Sequence, residues 1–407
     1  MDVIVLGLML LSLTIWLGLL CFWGQFWRTD QQLEVTETQL QSLPVVCAVV
    51  PARNEAELIP TSLRSLLLQD YPGSFNVFLV DDRSTDRTAN FAEGVAHAVG
   101  KPQQLHIISG ESLPAGWSGK LWAVEQGIKS ASKFAPDYFL LTDADIEHDP
   151  GNLRRLVAKA VQEDLDMVSV MVRLRCESFW EKLLIPAFVF FFQKLYPFRW
   201  VNNPNNPTAA AAGGSILIAR EALERIGGIQ VIRQALIDDC ALAQAVKRGT
   251  REEFSQSPVP NTQYPIPIGR IWLGLSSLTR SLRPYDSLAT IWDMVARSAY
   301  TQLNYSPLLL LGTLVGMPLI YLAPPICVIL GAVWSNWAIA FTGLLGWLLM
   351  TFAYYPTIRF YKCSVWFAFS LPAIAFLYTL MTLDSALRHW QGRGGAWKGR
   401  VYPVKSK

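Results

Sequence analysis

Charge is scarce in this chain. Charged residues are 16% of its 407 positions, against roughly 25% in ordinary soluble domains. What charge there is nearly cancels, since 35 Lys and Arg face 32 Asp and Glu, a formal +3. Such a balance supplies no broad basic field for nucleic acid, and none is expected as a partner. The composition also excludes disorder or a coiled coil as the main theme. Histidine is nearly absent, with only His97, His106, His148 and His389. The six cysteines (Cys21, Cys47, Cys176, Cys240, Cys327 and Cys363) form no C-x-x-C pair. Neither a zinc site nor a disulfide framework follows from that spacing. No internal repeat is visible, and Ala209–Ala212 is the only low-complexity tract.

Long apolar runs and 15 Trp take the place of charge. Val3 to Trp27 carries no charged residue and is bounded by Asp2 and Arg28. A helix of that length spans a hydrocarbon core of about 30 Å with some tilt. It exceeds a signal-peptide core and lacks a small-residue cleavage site, so a retained anchor over residues 1–28 is expected. Ser306 to Ile358 is free of Asp, Glu, Lys and Arg and fits two spans with a break near Trp334–Asn336. Cys363 to Leu383 is a third uncharged run. The C-terminal membrane region therefore covers 306–384, with two or three spans, followed by a basic tail over 385–407.

The charge that remains lies mainly in the middle of the chain. After a polar linker (29–43), short β-branched runs alternate with helical spacing. Strands are expected at Val45–Val50, Asn76–Val80, Gln104–Ser109, Tyr138–Leu141, Met167–Val172 and Ile216–Ala219. Helices are expected at Leu58–Gln69, Arg87–Val99, Lys120–Ser132, Asn152–Glu163 and Cys240–Lys247. This alternation implies an α/β domain over 44–257, with a mostly parallel sheet covered by helices. In open α/β sheets, ligands bind beyond the carboxyl ends of the strands. Three strands here end in polar clusters: Pro51-Ala52-Arg53-Asn54-Glu55, Asp81-Asp82-Arg83-Ser84-Thr85-Asp86 and Thr142-Asp143-Ala144-Asp145. One such cluster alone is ordinary loop polarity, since Ser84 or Asp86 would simply cap a helix. Three at the same rim describe a composite site.

The series P-A-R-N-E, V-D-D-x-S-x-D, D-x-D and the paired acid Asp238-Asp239 resembles glycosyltransferase family 2, with its GT-A fold, over roughly residues 44–250. Adding Leu113–Lys120 (LPAGWSGK), an N-terminal anchor, C-terminal apolar helices and Trp397–Arg400 (WKGR), the closest resemblance is to membrane-bound hopene-associated glycosyltransferases. The resemblance implies a nucleotide-sugar donor contacted by Ala52, Asn54, Glu55 and Asp82, with Asp82 at the base, a UDP-sugar being the expected donor. It implies that Lys120 meets the diphosphate. A lysine opening a helix after Gly119 suits that task, because free backbone N–H groups lie beside it. Asp143 and Asp145 form the implied D-x-D pair. Residues two apart on an extended segment face the same way, and both carboxylates could hold one Mg²⁺ or Mn²⁺ together with donor phosphates. Asp239 matches the general base of an inverting transfer. Its partner is Asp238 where the family more often has Glu. Gly213 and Gly214 would admit the donor sugar close to the backbone, or merely turn the chain.

On the acceptor side, Leu183–Phe192 is apolar but too short to span and contains Pro186. It reads as an interfacial or re-entrant segment, or as a buried core helix. The stretch 258–305 reads as a linker and a second interfacial helix, with Trp292, Arg297 and Tyr300 as candidate lipid or phosphate contacts. The Q-x-x-R-W motif of processive polysaccharide synthases is missing, which favours transfer of one sugar to a lipid hydroxyl. A nucleotidyltransferase and a polyprenyl-phosphate glycosyltransferase are the alternatives. Arg28 after the first span places the catalytic domain in the cytoplasm. A full third C-terminal span would then put the basic tail outside, whereas a re-entrant Cys363–Leu383, broken at Pro372, or a 306–358 stretch that does not cross twice, would keep it inside.

Overall fold

The computed structural model describes residues 2–33, 43–248, 269–393, 396–397 and 400–401. Residues 34–42 of the expected linker, the domain boundary at 257, and residues 394–395, 398–399 and 402–407 of the expected basic tail lie outside them. The polar half is built on β1 (Val46–Ala52), β2 (Phe75–Asp81), β3 (Leu105–Ser109), β4 (Tyr138–Leu141), β5 (Ile146–Glu147), β6 (Met167–Arg173), β7 (Ile216–Ala219) and β8 (Ile271–Ser281). They form one sheet in the order β3-β2-β1-β4-β7-β6-β8-β5. β1 is parallel to β2 and β4, β2 to β3, and β6 to β8. β7 runs antiparallel between β4 and β6, and β5 antiparallel to β8. The sheet is therefore mixed, with its parallel part where three polar clusters were expected to meet.

All seven residues of β1 are buried, which is why it reads as a continuous apolar run: both faces are covered. Its side chains alternate between two cores. Cys47 and Val49 pack on one face with Phe78 and Leu121. Val46, Ala48 and Val50 pack on the other with Leu63 and Leu79. The expected strands and helices are present within two residues at each end. β8 is the exception. The segment expected as a linker contributes, among the described residues, an eleven-residue strand beside β6. Gln31–Leu33 then joins the edge at Leu275, through Leu33 N donating to Leu275 O and Leu275 N to Gln31 O.

Leu183–Phe192 belongs to a helix over Phe179–Leu195. Ser178 and Glu181 close its first turn as a reciprocal capping box, which satisfies two otherwise unpaired N–H groups. The helix is sandwiched between the two halves of the molecule. Ile185 and Val189 face the sheet core, whereas Leu184, Ala187 and Phe190 face the apolar helices. Of the alternatives open in the sequence, this is the buried helix.

Among the described residues, four helical stretches have the length and apolarity to cross a membrane: Val3–Phe22, Pro307–Val333, Trp337–Phe360 and Val365–Trp390. The break between the second and third falls at Trp334–Asn336 as expected. The fourth has both ends against the polar half. Before it, Arg173 donates to Tyr361 O at 2.9 Å, and Cys176 and Cys363 have their sulfurs 3.6 Å apart. A 3₁₀ stretch then brings Phe369 alongside Trp347, whose indole N–H donates to Phe369 O. From Leu371 an α-helix returns, and near its end Trp292 Nε1 donates to Asp384, Arg388 bonds Asp293, and Tyr300 N donates to Ser385. This rise and return, with Pro372 at the turn, has the form of a re-entrant hairpin.

Candidate active site

The parallel arrangement of β1, β2 and β4 brings their carboxyl ends to one rim. There Lys120, Asp143, Gly213, Asp238 and Asp239 line a single cavity with Pro51 and Thr142. Lys120 is delivered by the helix Gly119–Ala131, whose N-cap Ser118 accepts from Leu121 N. Its ammonium lies 2.9 Å from Asp143 Oδ1 and 3.0 Å from Asp238 Oδ2. Burial alone would depress the Lys120 pKa, but the Asp143 and Asp238 carboxylates reverse this and hold it well above its ordinary value. Asp143 is itself raised by burial, against the pull of Lys120, with the charge of Asp145 adding to the rise.

Asp238 and Asp239 open the helix Asp238–Arg248, where a carboxylate meets unpaired N–H groups. Asp239 is held by two of them: Cys240 N donates to Oδ1 at 2.7 Å and Gly213 N to Oδ2 at 2.9 Å. Burial and the adjacent Asp238 push its pKa up to about 6, and Lys120 with the two N–H groups limits the rise. A carboxylate fixed in direction and poised near 6 is suited to accepting a proton. Gly213 faces this group, since an added Cβ would lie 3.5 Å from both Asp239 Oδ2 and Lys120 Nζ. Gly214 does not; its Cβ would come within 2.8 Å of Val172 Cγ2. Gly214 serves the close packing on β6.

The remaining expected donor residues form a second, stitched part of the rim. Asn54 N donates to Ser84 Oγ, and Asn54 Oδ1 accepts from Thr85 N. Arg53 donates to Asp82 O, and Ala52 O accepts from Asp82 N at 2.8 Å. The loops after β1 and β2 are thus one unit, with the Asp82 side chain buried. Asp143 and Asp145 sit on a turn between β4 and β5, not on an extended segment. Their side chains consequently meet different cations. Asp145 accepts from Arg283 Nε at 2.8 Å, and Arg283 Nη2 donates to Glu55 at 2.6 Å.

Two residues of this site were not legible in the sequence. Arg283 follows β8, whose place in the sheet no local pattern announces. His148 is buried under the D-x-D turn, where burial lowers its pKa to about 4 and leaves it neutral. Asn152 Nδ2 bonds its Nδ1, its Nε2 bonds Thr142 Oγ1, and Thr142 donates to Gly214 O. This chain fixes the residue preceding Asp143. Of the candidate acceptor contacts, Trp292 is engaged by Asp384 and Tyr300 is buried with its hydroxyl on Tyr305 O. Arg297 is exposed.

Among the described residues no three His, Cys, Asp or Glu side chains form a metal-binding group by themselves. The donor set nevertheless fits a divalent cation. Five carboxylates (Glu55, Asp143, Asp145, Asp238 and Asp239) gather around the two cations that pair with them, Lys120 and Arg283. A diphosphate entering that acidic rim needs further positive charge. Mg²⁺ is commonly held by one or two carboxylates with substrate phosphates supplying the rest.

Residues 47–227 match the family model described as Glycosyl transferase family 2. Over 124 residues it is 32% identical to an uncharacterised protein of Methanocaldococcus jannaschii, covering 30% of this chain and 44% of that one. Over 151 residues it is 30% identical to an undecaprenyl-phosphate 4-deoxy-4-formamido-L-arabinose transferase of an Enterobacter species, covering 36% and 42%. Over 207 residues it is 27% identical to a beta-monoglucosyldiacylglycerol synthase of a Synechocystis species, covering 49% and 39%. The chain spans less than half the length of each of these relatives. Among solved structures, it is similar to a mannosyltransferase from Pyrobaculum calidifontis in complex with GDP-Man and Mn²⁺. That likeness has a TM-score of 0.53 at 17% identity and covers 95% of this chain and 99% of the other. The fold is thus of GT-A type, with apolar helices at both ends.

Proposed function

We propose that this chain is a membrane-bound, inverting glycosyltransferase that moves one sugar from a nucleotide-sugar donor to a lipid hydroxyl. The observation that carries the reading is the convergence of Lys120, Asp143, Gly213, Asp238 and Asp239 on one cavity beside an apolar bundle. Asp239 takes the proton from the acceptor hydroxyl as its oxygen attacks the anomeric carbon, with Gly213 N and Cys240 N keeping the carboxylate in line. Lys120 binds the diphosphate. Ala52, Asn54, Glu55 and Asp82 surround the nucleoside, with UDP the first nucleotide to test. Asp143 and Asp145 would hold a divalent cation, which when bound offsets charge on the departing diphosphate.

The base favours a hydroxyl acceptor over a lipid phosphate. A phosphate is already ionised at neutral pH and needs no base, while the acid-rich surroundings of Asp239 would repel it. A hopanoid-type alcohol is the acceptor implied by the sequence resemblance. Transfer to a lipid also agrees with the names of two relatives, one acting on a polyprenyl phosphate and one named for a glucosyldiacylglycerol. Donor chemistry and the Arg28 flank support a cytoplasmic catalytic half.

Membranes holding the protein, incubated with labelled nucleotide sugars, should yield a labelled lipid and a nucleoside diphosphate. Release of pyrophosphate instead would indicate nucleotidyl transfer. Asp239→Asn should still bind donor but lose transfer by about 10²–10⁴-fold. Full activity in that variant rules out the assigned base.

A further inference from the structure

We propose that Arg283 is a partner-exchanging residue of the donor site: it pairs with Asp145 and Glu55, and its guanidinium would turn onto the donor's diphosphate when a divalent cation neutralises Asp145. This inference rests on the function proposed above and adds a donor-binding residue to it.

The argument begins with what Arg283 holds. Glu55 and Asp145 are buried, with side chains 8% and 10% exposed, and both lie within 2.8 Å of the same guanidinium. Glu55 comes from the loop after β1 and Asp145 from the turn after β4, so one side chain joins the nucleotide part of the rim to the D-x-D part. Two carboxylates withdrawn from water require a counter-charge, and Arg283 supplies it. Lys120 does the same for Asp143 and Asp238. Lys120 and Arg283, the cations paired with the D-x-D acids, are therefore both engaged by carboxylates.

A divalent cation at these carboxylates and a guanidinium on Asp145 compete for the same negative charge. The diphosphate arriving with that cation offers the guanidinium a new partner in a geometry that suits its planar fork. The backbone allows the exchange. Leu282 N donates to Asp145 O at 2.8 Å and Tyr285 N donates to Glu181 Oε1 at 2.8 Å. Arg283 lies between two anchored positions, so its side chain can turn without moving the chain. At 31% side-chain exposure it is also the most accessible member of the trio.

The test uses the full chain in lipid nanodiscs. Mn²⁺ binding without nucleotide is read by electron paramagnetic resonance, and UDP or GDP binding at saturating Mn²⁺ by calorimetry. Removal of a competing charge should make R283Q bind Mn²⁺ alone about tenfold more tightly. Its nucleoside diphosphate affinity should fall about tenfold. R283K keeps the charge without the fork, so its Mn²⁺ affinity should stay near the parent's while nucleotide binding weakens several-fold. Unchanged or weaker Mn²⁺ binding in an R283Q with parental melting temperature overturns the proposal. Should R283Q fail to fold, R283K decides, and parental nucleotide affinity there overturns it. If the parent binds neither Mn²⁺ nor either nucleotide, the proposed function fails first; if the parent binds both and R283Q matches it, only the exchange is lost.

Discussion

Asp239 concentrates the chemistry of the site in one titration. Its carboxyl is raised to about 6 by burial and by Asp238, and only the ionised form accepts a proton. Transfer should therefore rise with pH through about 6 and level off above it. Lys120 is the cation that restrains this rise, so K120Q should move the limb to higher pH as well as weakening donor binding. A limb that stays in place when Lys120 is neutralised would contradict the coupling. The two glycines separate by a similar contrast. In G213A the new methyl sits at ordinary contact distance from Asp239 and Lys120, so the melting temperature should hold while donor affinity falls. In G214A the methyl meets Val172 at 2.8 Å, and overpacking of that kind costs roughly 1–3 kcal/mol, visible as a lower melting temperature. Sequence alone could not part them. Both stand in one Gly-Gly pair, and only the course of the turn before β7 decides which faces the cavity.

At the level of elements, the site was legible where apolar strands stop abruptly in acids. β1, β2 and β4 are parallel neighbours, so their ends coincide, and Pro51, Asp82 and Asp143 mark those ends in the sequence. β8 escaped because Gly274, Ser276 and Ser277 interrupt its apolar residues and no helical pattern pairs with it in the chain, and with it went Arg283. The D-x-D turn escaped because two alternating acids are compatible with an extended strand, and the network beneath them runs through His148, far from the motif's own pattern. The joint between β6 and the apolar bundle gives a direct check on how these elements meet. Cys176 and Cys363 are half-buried, with sulfurs 3.6 Å apart. Diamide, a thiol oxidant, should join them into a disulfide at little cost to structure, because the two segments are already in contact. Peptide mass spectrometry should find the 176–363 cross-link, absent in C363S and reversed by dithiothreitol. Failure to cross-link while both thiols alkylate freely would show that the two segments do not stay together.

For the whole molecule, the open question in the sequence was the side on which the basic C-terminal tail lies. Counting apolar stretches gives four spans and puts the tail opposite the catalytic half. Contacts argue otherwise. The helical stretch over 365–390 starts beside Cys176 and ends on Trp292, Asp293 and Tyr300, all of them on the catalytic side. A stretch whose two ends touch the same side does not carry the chain across, whatever its length. Arg388 and Arg393 then lie on the same side as Arg28, the distribution that the positive-inside rule prefers. The prediction can be read without assuming which side is cytoplasmic. Single cysteines would be placed at Glu111 in the catalytic half, at Trp334 in the turn between the second and third apolar helices, and at Arg393 after the last one, in a background free of native cysteine. An impermeant maleimide applied to intact cells and to inverted vesicles should label positions 111 and 393 in one preparation and position 334 in the other. Labelling of 393 together with 334 would mean that the last helix crosses after all, and the hairpin would have to open for it to do so.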